Sequence, residues 1–329
     1  MTIAPSPGVF LSGLKKLRHP QQASLKTSFQ HWVNRSLIIS MALGMGLTSY
    51  WSYRIVRGLL ISNIKRNVLL ELEQRTDRLD QWLIQRKTEV TSIANTPSMR
   101  SMNWATVEPF LNSEVSRLPG FYLFAMVNPD GTFFNTKVGK AEGQNVQDQY
   151  HIQAALQGDT YVSDPILSET LDVPAVAVTS PVWADATQRG NPIGITAGLI
   201  DIKQVELEVK ALEYGPNSYA FALNSTGLPI VHPDQTVMDT IGNAISFVDS
   251  NDPALAAIAK QMVKREKRLE ITTLEGKPVY VAYMPIKQAD WSLALVIPRQ
   301  NIESQLQLLR FMALLSMVLV TSMLLGVWW

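Results

Sequence analysis

The sequence of 329 residues contains no cysteine. This absence excludes disulfides, thiolate nucleophiles and cysteine metal sites together. Histidine is scarce as well, and none of the four residues is paired at the four-residue spacing that places two metal ligands on one helix face. The sequence also lacks a Gly-x-Ser-x-Gly elbow and a glycine-rich phosphate loop between strand and helix patterns. The sequence therefore predicts no cofactor, no metal site and no catalytic residue. A membrane-anchored extracytoplasmic hydrolase is the least favoured of the alternative functions.

Charged side chains are absent from two long apolar segments, residues 36–53 and 311–329. A helix needs about 17–25 apolar residues to cross a hydrocarbon layer, and both segments reach that length. We therefore expect transmembrane helices at residues 36–57 and 309–329. The alternative for the first segment is a cleavable signal peptide, but its apolar stretch exceeds the ~7–15 residues of a signal core and no small-x-small site follows it.

Acidic residues are absent ahead of Glu71, whereas basic residues cluster before the first apolar segment. Those basic residues are Lys15, Lys16, Arg18, Lys26 and Arg35. Short basic flanks remain cytoplasmic, so residues 1–35 should form a cytoplasmic tail and residues 58–308 should lie outside the plasma (inner) membrane. All 28 acidic residues and 22 of the 29 basic ones fall within residues 63–310, a net charge of −6 that does not favour nucleic acid as a partner.

An internal duplication organises this outer region. The strand pattern at 121–127 is followed by the turn Asn-Pro-Asp-Gly and a second strand at 132–135, and the pattern at 219–223, Asn-Ser-Thr-Gly and 228–232 repeats this plan. Each copy predicts a β-hairpin, because glycine tolerates the positive φ that such turns need. Pro-flanked strands at 174–182 and 278–286, each with a further strand after it, extend the match. Two tandem antiparallel modules are predicted, with one large sandwich as the alternative.

A long helical pattern precedes both modules. Its apolar positions follow the three-and-four spacing of a coiled-coil seam, with two mild breaks at Thr76 and Arg86. The seam consists of Leu69, Leu72, Thr76, Leu79, Leu83, Arg86, Val90 and Ile93. Pro97 should end the helix. The seam can pack on its own modules, on a partner copy or partly on both; we expect a homodimer through this stalk helix.

These features together resemble the double Cache (dCache) sensor domains of bacterial receptors. In the first module the matching phrases are residues 124–131 (FAMVNPDG), 149–158 (QYHIQAALQG), 161–165 (YVSDP), 174–182 and 194–201, and in the second they are 219–223, 232–234 and 291–298. The resemblance covers roughly residues 60–305. It implies an α+β fold in which two PAS-like modules stand on a long N-terminal stalk helix between two transmembrane helices. The expected divisions are a stalk at 58–99, a membrane-distal ligand-binding module at 100–205 and a membrane-proximal module at 206–305.

The resemblance further implies a sensor that binds a small molecule outside the cell and transmits the signal to a cytoplasmic kinase, cyclase or chemotaxis module. In family members that bind amino acids, an Arg and a following aromatic grip the ligand carboxylate, and a later Asp holds the amine. Here Gln149 occupies the Arg position, His151 the aromatic position and Asp201 the acidic position. A neutral amide is a weaker partner for carboxylate than a guanidinium, so a free α-amino acid is less favoured as ligand.

Four further candidates for ligand contact lie in the loop-rich stretch where a pocket lid is expected: Tyr150, Tyr161, Asp164 and Asp172. Each also has a structural interpretation, since tyrosines often cap a core and aspartates often bond to local backbone. The phrase at 232–234 is interpreted as structural. The chain ends directly after the second apolar segment, so we expect the output module to lie in a longer receptor or in a separate cytoplasmic partner.

A protein-interaction module without a small-molecule ligand is the main alternative function. The basic run at residues 264–268 could dock an acidic partner, although a run of this length is usually a solvated helix end. Convergence of Gln149, His151 and Asp201 on a closed pocket would favour small-molecule sensing over this alternative.

Overall fold

The computed structural model describes residues 20–168, 170–171, 173–185, 187, 190–234, 237 and 245–326. Two compact units are present in it. One comprises the described residues of Met1–Leu59 together with those of Leu306–Trp329, and the other is Leu60–Gln305. The second unit contains two antiparallel sheets, and the α+β class predicted from the sequence is confirmed.

Helix α1 (Pro20–Ala94) is a single helix that begins at a proline, a residue suited to the first helical position. It ends at Ala94, ahead of Pro97, because a proline drives the residue before it away from helical backbone angles. Pro97 then opens the short helix α2 (Pro97–Arg100), where Thr96 Oγ1 accepts the Met99 N–H at 3.3 Å. The predicted stalk is therefore the C-terminal part of one longer helix. The N-terminal part of that helix includes residues 20–35, which were expected to belong to the cytoplasmic tail.

The predicted seam of α1 packs against the chain's own sheets. Leu72, Leu79 and Leu83 are fully buried in one core with residues of both sheets. The two polar breaks are also buried, and both side chains are hydrogen-bonded. Thr76 donates to helix carbonyls, and Arg86 Nη1 donates to Pro119 O at 3.1 Å. These side chains are buried inside one chain, so the seam packs on the chain's own modules, which was one of the arrangements that the sequence left open. A homodimer through the stalk helix stays a prediction and would use another face of α1.

Further helices are α3 (Trp104–Arg117), α4 (Tyr150–Leu156), α5 (Lys203–Lys210), α6 (Pro253–Val263), α7 (Arg299–Glu303) and α8 (Gln307–Gly326). Two 3₁₀ turns cover Phe247–Asp249 and Ser304–Leu306. Among the described residues, α8 is the one helix that is long and apolar enough to cross a membrane.

The first sheet contains β1 (Phe121–Val127), β2 (Phe133–Asn135), β3 (Gly139–Lys140), β4 (Tyr161–Val162), β5 (Ile166–Ser168), β6 (Val173–Val182) and β7 (Gly194–Asp201). Its order is β3-β2-β1-β7-β6-β4, with β5 also paired to β6. The second sheet contains β8 (Tyr219–Leu223), β9 (Pro229–Val231), β10 (Arg268–Leu274), β11 (Lys277–Pro285) and β12 (Ser292–Pro298), in the order β10-β11-β12-β8-β9.

The duplication is visible in the two opening hairpins. In the first turn Gly131 N donates to Asn128 O at 2.9 Å, and in the second Gly227 N donates to Asn224 O at 3.1 Å. The two glycines have φ values of +82° and +81°, which a residue with a Cβ adopts only under strain. β7 lies between β1 and β6 as β12 lies between β8 and β11. The repeated strand pattern in the sequence therefore corresponds to a repeated sheet topology.

Each sheet has one face toward the core that contains α1 and one face away from it. On β1, Phe124 and Met126 belong to the α1 core, whereas Leu123, Ala125 and Val127 belong to a separate cluster near α4. This alternation follows from the two-residue period of side chains along a strand. The face beneath α4 carries the candidate site.

Candidate functional site

A cavity of about 360 Å³ lies against the α4 face of the first sheet. Three of its floor residues are alanines on adjacent strands: Ala125 and Ala197 are direct partners across β1 and β7, and Ala177 lies on β6. A methyl side chain fills little of the space between sheet and helix, so this patch stays open. The volume falls within the ~300–1,000 Å³ usual for small-molecule sites.

The matching face of the second sheet is filled by large side chains. Phe221 pairs with Ala294 at the position equivalent to the Ala125–Ala197 pair, and Tyr283 takes the position equivalent to Thr179. Both aromatic residues are buried and pack in one cluster with α6. Of the two similar sheets, the cavity thus lies on the one whose equivalent positions carry small side chains.

The start of α4 supplies two predicted residues to the cavity wall. Gln149 is the N-cap residue of α4, but its side chain makes no capping bond, and it is exposed at the cavity. His151 is 8% exposed, and burial lowers the pKa of its imidazole to about 4. His151 is therefore neutral at physiological pH, so neither residue offers a carboxylate the positive charge that an arginine would supply.

Asp201 lies outside the cavity lining, at the end of β7. Its Oδ1 accepts the Lys203 N–H at 2.9 Å, and its Oδ2 is 3.4 Å from Lys203 Nζ. Although burial raises the pKa of Asp201, hydrogen bonds from Tyr122 and Lys203 lower it overall. Burial and this contact raise the pKa of the Tyr122 phenol to about 12. The structure therefore brings Gln149 and His151 together but not Asp201.

Three other predicted residues border a second cavity, of about 590 Å³, between the two sheets. Tyr150 and Tyr161 pack edge to face with ring centroids 5.1 Å apart, and Asp164 lies beside them. Gln149 and His151 line this cavity as well as the first one, so the two spaces adjoin. The fourth candidate, Asp172, lies outside the described residues.

Asp164 joins the two sheets through its carboxylate. Its Oδ1 accepts the Trp291 indole N–H at 3.1 Å, and its Oδ2 accepts the Ser225 hydroxyl at 2.6 Å. Burial raises the pKa of Asp164 above its ordinary value, while these two donors act in the opposite direction. Asp164, which the sequence predicts to contact ligand, thus links the module that holds the cavity to the second module.

Tyr161 makes a parallel link. Its hydroxyl donates to Asp290 Oδ2 at 2.5 Å, and Asp290 Oδ1 accepts from Arg265 Nη1 at 3.0 Å. Arg265 also donates to the backbone carbonyls of Ala289 and Ile286. Burial and the Asp290 contact raise the pKa of the Tyr161 phenol. Tyr161 and Asp164 therefore connect β4 and the loop after it to the second sheet near the β11–β12 connection.

Asn135 is a cavity residue that the sequence analysis missed. It lies on β2, is 1% exposed, and its Oδ1 accepts the N–H groups of Lys137 and Val138 at 2.9 and 3.1 Å. Its Nδ2 is buried without a hydrogen-bond partner among the described residues. No sequence motif marks this residue, because the lack of a partner for its Nδ2 depends on tertiary packing around the end of β2.

The basic run at residues 264–268 is largely paired within the chain. Besides Arg265, Lys267 contacts Glu73 at 3.0 Å and Arg268 contacts Glu266 at 3.0 Å. His232 packs among aromatic rings of the second sheet, and its Nδ1 accepts the Asp234 N–H at 3.1 Å, which fits the structural interpretation of that phrase. Within the part of the chain that the structure describes, no group of three or more His, Cys, Asp or Glu could hold a metal ion.

A family model described as a Cache domain (dCache_1) matches residues 52–306. The methyl-accepting chemotaxis protein PctB of Pseudomonas aeruginosa is 23% identical over 185 residues, an alignment that covers 53% of this chain and 27% of that receptor. The chain therefore matches about a quarter of the length of this curated relative.

Solved structures share the fold. The ligand-binding domain of the Pseudomonas fluorescens chemoreceptor CtaA, in complex with L-isoleucine, has a TM-score of 0.56 at 17% identity and covers 77% of this chain and 98% of that one. The sensory domain of the Campylobacter jejuni chemoreceptor Tlp3 (CcmL), with isoleucine bound, has a TM-score of 0.57 at 12% identity and covers 75% of this chain and 97% of that one. At these identities the likeness establishes the fold, and the match to residues 52–306 establishes the family.

Proposed function

The chain belongs to the Cache-domain family, and on that premise we propose that it is the sensor part of a membrane receptor that binds a small molecule in the cavity of the first sheet. The single observation that carries this proposal is the alanine floor at Ala125 and Ala197, where the second sheet has Phe221 against Ala294. An open, largely apolar cavity with a few polar groups is the usual form of a ligand site. The relatives PctB, CtaA and Tlp3 are chemoreceptors, which supports a sensing role rather than an enzymatic one.

We further propose that the protein crosses the membrane twice. Helix α8 meets the length and composition needed for a span, and most of its large apolar side chains are exposed. The 36–53 part of α1 also exposes large apolar residues, although its hydroxyl groups make it less apolar than α8. Ser40 and Thr48 donate to carbonyls three or four residues earlier in the helix, which reduces the cost of placing hydroxyls in lipid.

A contact within the first unit supports a second span. The hydroxyl oxygens of Ser49 on α1 and Ser316 on α8 are 2.6 Å apart, and a Cβ added at Gly46 would lie 4.0 Å from Val320 Cγ1. Small residues and shared hydroxyl bonds are typical of helices that pack together in a bilayer. We propose that residues 58–308 are extracytoplasmic and that the N-terminus is cytoplasmic, since the basic residues precede the first span.

Signal transmission in this proposal is a shift between two arrangements of the sensor. Ligand binding can shift that equilibrium only by the difference in its affinity for the two arrangements. Gln149 and His151 border the ligand cavity and the cavity between the sheets, and Tyr161 and Asp164 join the sheets beside them. We propose that these contacts and α1 carry the change to a cytoplasmic signalling partner, and that the receptor acts as a homodimer through a surface other than the buried seam.

A thermal-shift screen of the full chain in nanodiscs tests the proposed function. Amino acids, amines, purines and organic acids should include at least one compound that raises the unfolding temperature, because a ligand that binds only the folded state stabilises it. The variant Ala197→Phe should abolish that rise, since the larger side chain occupies the cavity floor. A screen in which no compound class shifts the transition, or a shift that survives Ala197→Phe, would contradict the proposal.

A further inference from the structure

One stretch of the sequence, residues 141–188, contains seven acidic residues and no lysine or arginine. Glu169 and Asp172, which lie outside the described residues, are two of the seven. The stretch includes α4 and β4 to β6, and it supplies most of the residues that line the first-sheet cavity and the cavity between the sheets. A cleft whose walls carry one sign of charge concentrates ions of the opposite sign. These walls therefore favour a positively charged ligand.

Asp164 brings one of these acidic side chains to the cavity between the sheets. Its carboxylate accepts from two uncharged donors, the Trp291 indole at 3.1 Å and the Ser225 hydroxyl at 2.6 Å. Among the described residues it forms no ion pair, whereas Asp290 on the same cavity is paired with Arg265 at 3.0 Å. A carboxylate can accept about four hydrogen bonds, so the Asp164 oxygens retain capacity for a charged N–H donor.

Three side chains beside Asp164 suit an ammonium group. His151 is 8% exposed, lines both cavities, and its imidazole makes no hydrogen bond to another described residue. Because burial lowers its pKa to about 4, the ring is neutral near pH 7 and offers one nitrogen that accepts an N–H. Tyr150 and Tyr161 line the cavity with ring centroids 5.1 Å apart, and an aromatic face attracts a cation within about 6 Å.

The cavity between the sheets adjoins the alanine floor of the first-sheet cavity. Gln149 and His151 line both spaces. Ser163 connects the floor to the carboxylate: its Oγ accepts the Ala177 N–H at 2.9 Å, and the next residue along the chain is Asp164. A ligand with a short aliphatic body can therefore contact the floor at one end and Asp164 at the other.

We propose that the sensor binds a primary amine whose aliphatic body lies on the alanine floor and whose ammonium group donates to the Asp164 carboxylate. His151 accepts a second N–H, and the rings of Tyr150 and Tyr161 lie beside the charge. Asp164 then has the role that the family resemblance gives to Asp201, which lies outside the cavity lining. The bound ammonium contacts a residue that joins the two sheets. This inference rests on the proposed function and names its ligand class.

Four probes with similar branched bodies separate the contributions of the two charges. They are L-leucine, 3-methylbutylamine, which lacks its carboxylate, 4-methylpentanoate, which lacks its amine, and 3-methylbutan-1-ol, which is uncharged. The full chain is placed in nanodiscs of phosphatidylcholine, a lipid without net charge, and empty nanodiscs provide the blank. Calorimetric titration at pH 7.5 should give the amine an affinity at least about tenfold above each other probe, a difference of about 1.4 kcal/mol.

The variant Asp164→Asn tests the carboxylate. It keeps an oxygen to accept the Trp291 indole N–H and a polar group beside Ser225, but it removes the charge, so affinity for 3-methylbutylamine should fall at least about tenfold. Asp252→Asn is the matched control: both oxygens of Asp252 also accept hydrogen bonds, but in the second module and outside both cavity linings. The control should bind the amine as the parent chain does. Unfolding temperatures identify any loss of fold, and the probe ranking in the parent chain tests the inference without a variant.

Equal or tighter binding of L-leucine, 4-methylpentanoate or the alcohol would overturn the inference, as would unchanged amine binding by a folded Asp164→Asn variant. Loss of amine binding in Asp201→Asn but not in Asp164→Asn would overturn it too, and so would failure of all four probes to bind. These results differ from failure of the proposed function. A preference for a carboxylate probe that Ala197→Phe abolishes rejects the amine and retains the sensor, whereas a wider screen without any binder rejects the sensor.

Discussion

At the residue scale, His151 places an imidazole where protonation is unfavourable. Burial lowers its pKa in the folded chain to about 4, below the ordinary value of 6.5. As pH falls through this window the unfolded chain takes up the proton first, so the stabilising contribution present above pH 6.5 is lost toward pH 4. One pKa unit corresponds to about 1.4 kcal/mol, so roughly 2 kcal/mol should be lost by pH 5.

We therefore expect the parent chain to lose about 2 kcal/mol more unfolding free energy between pH 7.5 and pH 5 than His151→Gln, which has no imidazole. Urea unfolding of both full-length proteins in detergent micelles, followed by tryptophan fluorescence, measures this difference. Parallel pH profiles for the parent chain and His151→Gln would contradict the buried neutral state of His151.

At this scale the sequence predicted two residues that line the candidate cavity. Gln149 and His151 were found because they stand in a recognisable phrase at the start of α4. Tyr161 and Asp164 were predicted to contact ligand because they lie in the loop-rich stretch where a pocket lid is expected. They border the second cavity and also bond to Asp290 and Trp291 on the second sheet, contacts that the sequence did not indicate. Asn135 carried no signal, because its unpaired donor depends on how the end of β2 packs.

At the scale of single elements, β7 and β12 give a matched test of the cavity. Ala197 and Ala294 occupy equivalent positions, but Ala197 borders open space and Ala294 faces Phe221 in a filled cluster. Ala197→Leu should therefore change stability by less than about 1 kcal/mol, whereas Ala294→Leu should destabilise by about 1–3 kcal/mol through overpacking. Urea unfolding of the full-length variants measures both changes. Equal destabilisation by the two substitutions would mean that the first sheet is as tightly packed as the second.

Helix α1 shows what a periodic pattern determines and what it leaves open. The three-and-four spacing correctly predicted a helix with one buried face, but it could not specify the partner of that face. The structure assigns Leu79, Leu83 and Val90 to the chain's own core, where they are essentially inaccessible. Substitution of any one of them by alanine should lower the unfolding free energy by about 2–5 kcal/mol. A change in signalling by such a variant would therefore have to be separated from its loss of stability.

At the scale of the whole molecule, the repeated hairpin phrases were sufficient to predict two similar sheets, because turn glycines and strand prolines leave strong local signals. The proposed membrane crossings are a different case. Length and composition identify α8 as a candidate span, whereas serine, threonine and aromatic residues lower the apolar character of residues 36–53. In residues 36–53 the hydroxyls of Ser36, Ser40 and Thr48 bond within the helix and that of Ser49 bonds to Ser316, and such pairing cannot be read from hydropathy.

The absence of cysteine makes the proposed topology directly measurable. Gln30→Cys and Ser116→Cys each introduce a single thiol at an exposed position, one before the first proposed span and one in the outer region. In intact spheroplasts a membrane-impermeant maleimide should label Ser116→Cys, and it should label Gln30→Cys only after permeabilisation. Labelling of both thiols in intact spheroplasts, or the reverse pattern, would contradict two spans with a cytoplasmic N-terminus.

The central claim is that the first sheet, not the second, holds the ligand. Hydrogen exchange of the full chain in nanodiscs, with and without a compound that raises its unfolding temperature, tests this claim most directly, because bound ligand slows local opening around its site. We predict slower exchange in β1, β2, α4, β6 and β7, with β8, β11 and β12 changed less. Protection confined to the second sheet, or spread equally over both sheets, would contradict the account.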